Sequence, residues 1–123
     1  MKLGAHIWVI ADGYIPPTST GPEPAMTSHD SACILNANDE DARVEVFLYF
    51  TDREPAGPYT INIPARRAHH QRFNDLKDPE PIPIDVDYCC VIQSDKPIVV
   101  QHTRLDSRQA ANALMSTIAF PAG

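Results

Sequence analysis

Residues 97–108 read PIVVQHTRLDSR, and the fold is best understood outward from this stretch. The β-branched run after the proline is typical of a β-strand, because such side chains pack well on a pleated surface. Strand alternation then places Gln101 and Thr103 on one face and His102 and Arg104 on the other. The stretch therefore predicts a strand that brings hydrogen-bonding side chains to a sheet edge or a cleft. The same side chains could instead cap the end of a sheet or bond across a subunit contact.

Alternating segments on either side of this stretch predict further strands. The clearest covers residues 43–51, where the apolar stripe predicted to face the core is Val44, Val46, Leu48 and Phe50. The opposite face of that strand carries Phe47 and Tyr49, which predicts that a loop or a partner covers it. Other strands are predicted at residues 5–11, 31–35, 59–63, 65–74, 88–92 and 114–120.

Apolar and polar runs give two further expectations around residues 88–96. Residues 88–92 are continuously apolar, which predicts a central strand covered on both faces. Ser94-Asp95-Lys96 is predicted to turn the chain before residue 97.

With twelve prolines and five glycines, the chain favours short strands joined by turns over long helices. The pattern predicts an all-β fold, a single-domain β-sandwich of about eight short, mainly antiparallel strands over residues 1–123.

Composition narrows the class of protein. The net charge of −6 does not favour a binder of nucleic acids or anionic membranes, because both attract basic surfaces. No apolar run is long enough to cross a bilayer, and the N-terminus shows no signal-peptide pattern. Three cysteines, two of them adjacent, do not form a disulfide framework. We therefore expect a cytoplasmic protein.

The sequence has one basic patch, within residues 65–74. Five of the seven residues from 66 to 72 are arginine or histidine. Such charge is a common protection of an exposed edge strand against aggregation. It could also supply donors to an anionic or hydroxyl-rich ligand, since guanidinium groups suit carboxylates, phosphates and vicinal oxygens. DNA binding through this patch is the least favoured alternative, because the net charge opposes it.

Catalytic and metal-binding motifs are absent from the sequence. No GxSxG, P-loop, GxGxxG, HxH or HExxH pattern occurs. No metal or cofactor is therefore predicted. The cysteines at 33, 89 and 90 lie in apolar segments, which predicts small core residues and not nucleophiles.

Several longer strings match a known family in order along the chain. They are residues 13–17 (GYIPP), 21–24 (GPEP), 33–36 (CILN), 64–67 (PARR), 72–76 (RFNDL), 91–94 (VIQS) and 97–109 (PIVVQHTRLDSRQ). In these strings the chain resembles the sensory rhodopsin transducer family, from about Trp8 to Ile118. The resemblance implies a cytoplasmic homotetramer that is not an enzyme. It also implies a β-sandwich that binds a small molecule, such as a sugar or related metabolite, with a membrane photoreceptor as a possible partner.

We infer a candidate ligand pocket from residues that lie in or beside these strings. They are Trp8, Glu23, His29, Arg72, Gln101, His102 and Arg104. Sugar sites combine an aromatic face with polar side chains, and this set offers both. The alternative for Trp8 is simple core packing, since a single tryptophan in a strand is usually buried. The alternative for the whole chain is a protein–protein interaction module that has no ligand.

Overall fold

The computed structural model describes residues 3–123, so Met1 and Lys2 of the predicted domain lie outside the described residues. Within residues 3–123, eight strands follow one another, and one short 3₁₀ helix, Phe73–Asp75, follows the fifth strand. The strands are β1 Ala5–Gly13, β2 His29–Asn36, β3 Ala42–Phe50, β4 Ala56–Ile63, β5 Arg67–Arg72, β6 Tyr88–Asp106, β7 Ala113–Ile118 and β8 Phe120–Pro121. Within the described residues, no helix is long and apolar enough to span a membrane.

Strand β6 is shared by two groups of strands. Its first part lies between β3 and β1, which gives the order β4-β3-β6-β1-β8. Its second part lies between β2 and β7, and β5 pairs with the free side of β2. All of these pairings are antiparallel. The predicted all-β fold of about eight mainly antiparallel strands is confirmed.

The predicted turn at Ser94-Asp95-Lys96 is wrong, because these residues lie inside β6, which is one continuous strand of 19 residues. The partners of β6 change at this point. Ser94 still pairs with Val44 of β3, whereas Val99 pairs with Leu35 of β2. The polar residues that predicted a turn therefore mark the place where one strand passes from one group of strands to the other.

One hydrophobic core receives side chains from both groups of strands. Phe50, the last residue of the predicted β3 stripe, is only partly buried, but Val44, Val46 and Leu48 are each 0% exposed. The inward residues of β4, Tyr59 and Ile63, are enclosed to the same degree. This alternation is the expected result of a pleat that points successive side chains to opposite faces.

The prediction that residues 88–92 are covered on both faces is wrong for the outer face. Cys90 points into the core and is fully buried, but Cys89 is exposed and Cys33 is partly exposed. Cys89 lies opposite Tyr49 of β3, which is also exposed. A continuous apolar run predicts a central strand, but it does not say which of its faces is covered.

The proline-rich segment between β1 and β2 is fastened to the end of β6. Ser28 and Ser107 are both buried, and their hydroxyl oxygens lie 3.1 Å apart. The backbone N–H of Ser107 donates to the Ser28 hydroxyl at 2.9 Å, and the N–H of Thr20 donates to the carbonyl of Ser107. These bonds satisfy buried polar groups and give the segment a defined path beside β2 and β6.

Candidate functional site

The site forms where β2 and β6 run side by side. The register places Asp30 opposite Arg104 and Ala32 opposite His102. His102 and Arg104 lie on the same face of β6, two residues apart, and this face is turned inward. The His102 side chain is 3% exposed, and Nε2 lies 2.5 Å from Oδ1 of Asp30, which is 0% exposed.

Asp30 is a buried carboxylate surrounded by donors. Its Oδ2 accepts the hydroxyl of Tyr88 at 2.5 Å and the backbone N–H of Tyr14 at 2.9 Å. Its Oδ1 faces both His102 Nε2 and, at 3.5 Å, Nε of Arg104. Removing a charge from water is costly unless the charge is paired and hydrogen-bonded, and this arrangement meets both needs.

Tyr88 reaches Asp30 because its ring is held by its neighbours. Phe73 of the 3₁₀ helix packs against it edge to face, with ring centroids 5.8 Å apart. A Cβ atom at Gly13 would lie 2.2 Å from the Tyr88 ring, so only glycine leaves room there. Burial, together with the nearby Asp30 charge, raises the pKa of Tyr88 well above its ordinary value. The hydroxyl therefore stays protonated and donates to Asp30.

Arg104 donates its hydrogen bonds to the end of β1 and to the residue that follows it. Nε donates to the carbonyl of Tyr14 at 3.1 Å, and Nη2 donates to the carbonyl of Asp12. The guanidinium also lies over the Tyr14 ring, 5.9 Å from its centroid. Arg104 thus binds the segment after β1 to the same cluster that holds Asp30 and His102.

A cleft of about 560 Å³ opens beside this cluster, between the end of β1 and strands β7 and β8. His102 lies on its wall. The other lining residues are mostly apolar: Val9, Ile10, Ala11, Asp12, Met115, Thr117, Ile118, Ala119 and Phe120. The volume falls in the range of small-molecule sites in proteins.

The structure brings His102 and Arg104 together but places Trp8 in the core. Trp8 is 4% exposed. Its indole N–H lies 3.0 Å from the carbonyl oxygens of both Ala5 and Ile98. The ring therefore fills space between β1 and β6, and its polar atom is already satisfied.

The other four predicted residues lie in three further places. Arg72 donates from Nη1 to the carbonyl of Pro24 at 3.0 Å, which brings the end of β5 against the loop that carries Glu23. Glu23 itself is exposed. His29 Nδ1 lies 2.8 Å from the carbonyl oxygen of Thr27. Gln101, exposed on the other face of β6, donates to the Ser116 hydroxyl at 2.6 Å.

Sequence reasoning missed the centre of the cluster, Asp30, and its donors Tyr14 and Tyr88. Asp30 comes just before an apolar run, where an aspartate usually indicates a turn. The signal that could have found it is alternation, because Asp30, Ala32 and Ile34 share one strand face. Among residues 3–123, no group of three or more His, Cys, Asp or Glu side chains is placed to hold a metal ion.

Comparison with known proteins supports the resemblance seen in the sequence. A family model described as Anabaena sensory rhodopsin transducer matches residues 3–121. The chain belongs to the sensory rhodopsin transducer family. It is therefore a sensory rhodopsin transducer-like domain.

Two solved structures of this fold are similar to the chain. One is the Anabaena sensory rhodopsin transducer, with 59% sequence identity and a TM-score of 0.77 over 84% of this chain and 99% of that one. The other is Thermotoga maritima 1070, with 33% identity and a TM-score of 0.87 over 97% of this chain and 96% of that one. Among curated proteins, none matches the chain significantly.

Proposed function

We propose that this chain is a cytoplasmic signal transducer that binds a small molecule and passes the signal on by contact, without catalysing a reaction. Its membership of the sensory rhodopsin transducer family supports the signalling role. The observation that carries the binding role is the cleft with His102 on its wall, joined directly to the buried Asp30 cluster. An open cleft with a few converging polar groups is the usual form of a small-molecule site.

A route for the signal leads from the cleft to the surface. A ligand that contacts His102 would alter the hydrogen bond between His102 and Asp30. Asp30 also accepts a hydrogen bond from the backbone N–H of Tyr14. Arg104 connects the same carboxylate to the carbonyls of Asp12 and Tyr14. A change in these hydrogen bonds would therefore alter the position of the exposed end of β1, where a partner protein could bind.

Sugars and related metabolites are the first ligand class to test, and a sensory rhodopsin-type receptor is the first partner. The receptor is suggested by the name of the relative that is 59% identical, the Anabaena sensory rhodopsin transducer. A homotetramer is the proposed assembly, with the apolar outer face of β3 and β6 as its contact surface. Phe47 and Tyr49 lie on this face.

A thermal-shift screen tests the binding role. A ligand that binds only the folded protein stabilises it, by about 2.7 kcal/mol at a hundredfold excess over Kd, and so raises the melting temperature. Thr117→Phe, which fills the cleft from β7, should abolish this shift. Arg72→Ala is the control, because Arg72 contacts the Pro24 loop and does not line the cleft.

Three results would contradict parts of this proposal. If no sugar or metabolite raises the melting temperature but the chain binds a sensory rhodopsin in nanodiscs, it is an interaction module without a ligand. If it binds no such receptor, with or without a ligand that the screen has found, the receptor part is wrong. A shift lost in Arg72→Ala but kept in Thr117→Phe would move the ligand to the loop that carries Glu23.

A further inference from the structure

The two ring nitrogens of His102 differ in their hydrogen bonding. Its Nε2 is used by Asp30, whereas Nδ1 has no hydrogen-bond partner among residues 3–123. Within the same residues, no fully enclosed side-chain nitrogen or oxygen lacks a partner. Because His102 lines the cleft while its side chain is only 3% exposed, Nδ1 is accessible from the cleft alone.

The hydrogen bonds to Asp30 determine whether Nδ1 of His102 donates or accepts a hydrogen bond. Oδ2 already accepts two donors, from Tyr88 and Tyr14, which indicates an ionised carboxylate that accepts from every side. The proton between Asp30 and His102 then lies on Nε2. In that tautomer Nδ1 is a hydrogen-bond acceptor.

The other residues that line the cleft are mostly apolar. Val9, Ile10, Met115, Ile118 and Phe120 all line it. Phe120 is 68% exposed, so it presents apolar surface that a bound molecule would remove from water. Two other lining residues carry polar side chains, namely Thr117, which lies opposite His102 in the strand register, and Asp12.

We propose that this cleft binds a small, mainly apolar molecule with a single hydroxyl or N–H group, which donates a hydrogen bond to Nδ1 of His102. The inference rests on the proposed small-molecule binding role and favours a ligand class other than the sugars named there. A sugar would bring many hydroxyls against apolar side chains and leave most of them without partners, which costs binding free energy. A phenol or an apolar alcohol needs only the one acceptor that the buried histidine provides.

Calorimetry with para-cresol and para-methylanisole tests the proposal on the unmodified protein. The two probes have similar apolar bodies, but only para-cresol can donate a hydrogen bond. We expect para-cresol to bind about fivefold or more tightly than its methyl ether, the effect of one buried hydrogen bond. The long-range ¹H–¹⁵N spectrum of His102 should show the Nδ1 signal shifting with para-cresol and not with the ether.

Two neighbouring substitutions on β7 locate the site. Thr117→Phe places a ring in the cleft and should abolish para-cresol binding. Ser116→Phe is the matched control, because Ser116 lies on the opposite face, where its hydroxyl contacts Gln101 and Thr103. It should leave the affinity unchanged. Melting curves of both variants establish that each is folded.

The remaining outcomes overturn the proposal. Equal affinity for the two probes would mean that His102 makes no hydrogen bond to the ligand. If sugars stabilise the protein through the cleft while para-cresol does not bind, the proposed function stands and this ligand class is wrong. If neither class binds, the small-molecule role fails as well. If Thr117→Phe instead disperses an oligomer and no probe binds, a second copy of the chain occupies the cleft.

Discussion

Asp30 is the residue on which the candidate site depends. It is fully buried, and its two oxygens face side chains or backbone from four positions: Tyr14, Tyr88, His102 and Arg104. Breaking a buried charged pair by removing one partner is more costly than losing the contact alone, because the remaining charge stays out of water. The cluster is therefore expected to resist substitution even where no ligand is involved.

Tyr88→Phe tests the weight of one donor in this cluster. The substitution keeps the ring packed on Phe73 but removes the hydroxyl that bonds to Asp30. We expect the free energy of unfolding to fall by about 1.5–3 kcal/mol, the usual value for a hydrogen bond to a charged group. Urea denaturation measures this loss. Tyr49→Phe is the control, since Tyr49 is 47% exposed, and an equal loss in both variants would contradict the role given to Asp30.

Cys90 should make stability depend on pH in alkaline solution. Burial, together with the Asp30 charge, raises the pKa of the Cys90 thiol far above its ordinary value of 9.0. Below about pH 9 the thiol is protonated in both states, and its contribution to stability is complete. Above that pH the unfolded chain loses the proton while the folded chain keeps it, so stability falls by about 1.4 kcal/mol per pH unit.

Denaturation between pH 7 and pH 11 under reducing conditions checks this expectation. Cys90→Ala should remove the part of the slope that begins near pH 9, although it also lowers stability at neutral pH by leaving a small cavity. Cys89→Ala is the matched control, because the neighbouring thiol is exposed. A slope that survives in Cys90→Ala would assign the alkaline dependence to other groups.

At the scale of elements, β6 organises the fold because it serves both groups of strands. Its pairing with β2 sets the register that brings His102 and Arg104 to Asp30. Its pairing with β7 places Thr117 opposite His102 and so forms one wall of the cleft. Residues 97–108, from which the fold was predicted, supply most of these contacts.

The turn between β2 and β3 depends on Asn36. This side chain is 0% exposed, and its amide donates to the carbonyls of Glu40, Ile63 and Pro64. Its Oδ1 accepts the backbone N–H of Asn38 at 3.0 Å. Asn36 thereby ties the turn to the end of β4.

Asn36→Ala should therefore lower the free energy of unfolding by more than about 2 kcal/mol, since several buried backbone groups lose their partner at once. Chemical denaturation gives the value. Asn62→Ala, at an exposed position of β4, is the control and should stay within about 0.5 kcal/mol of the wild type. A similar small effect for Asn36→Ala would mean that water replaces its amide without loss.

For the whole molecule, the outer face of β3 and β6 predicts self-association. Phe47 and Tyr49 lie there beside Val91 and Cys89 of the neighbouring strand. Tyr49 is 47% exposed, and such apolar surface is commonly covered by another subunit.

Light scattering on a sizing column should show a closed homo-oligomer at micromolar concentration, consistent with the proposed tetramer. Tyr49→Lys places a charge in this face and should shift the protein toward smaller species. Gln109→Lys, in the exposed segment after β6, adds the same charge elsewhere and should not. A wild-type monomer would contradict the oligomer prediction.

Strand positions and the core stripe were predictable because they depend on a local rule. Alternation with a period of two predicts Val44, Val46, Leu48 and Phe50 as core residues. The first three are fully buried and Phe50 is partly buried. The family strings were equally visible, because they are properties of the chain alone. In contrast, local pattern misread Ser94-Asp95-Lys96 as a turn, since polarity does not distinguish a turn from a strand that changes partners.

Only part of the site was predictable, because its residues lie far apart along the chain. His102 and Arg104 could be chosen from their own strand, where alternation places them on one face. Asp30 lies 72 residues before His102, and only the antiparallel register of β2 against β6 brings the two together. The cleft likewise exists because β1 and β7 flank different parts of β6. Such long-range pairing is set by the packing of the whole sheet, which no local sequence pattern encodes.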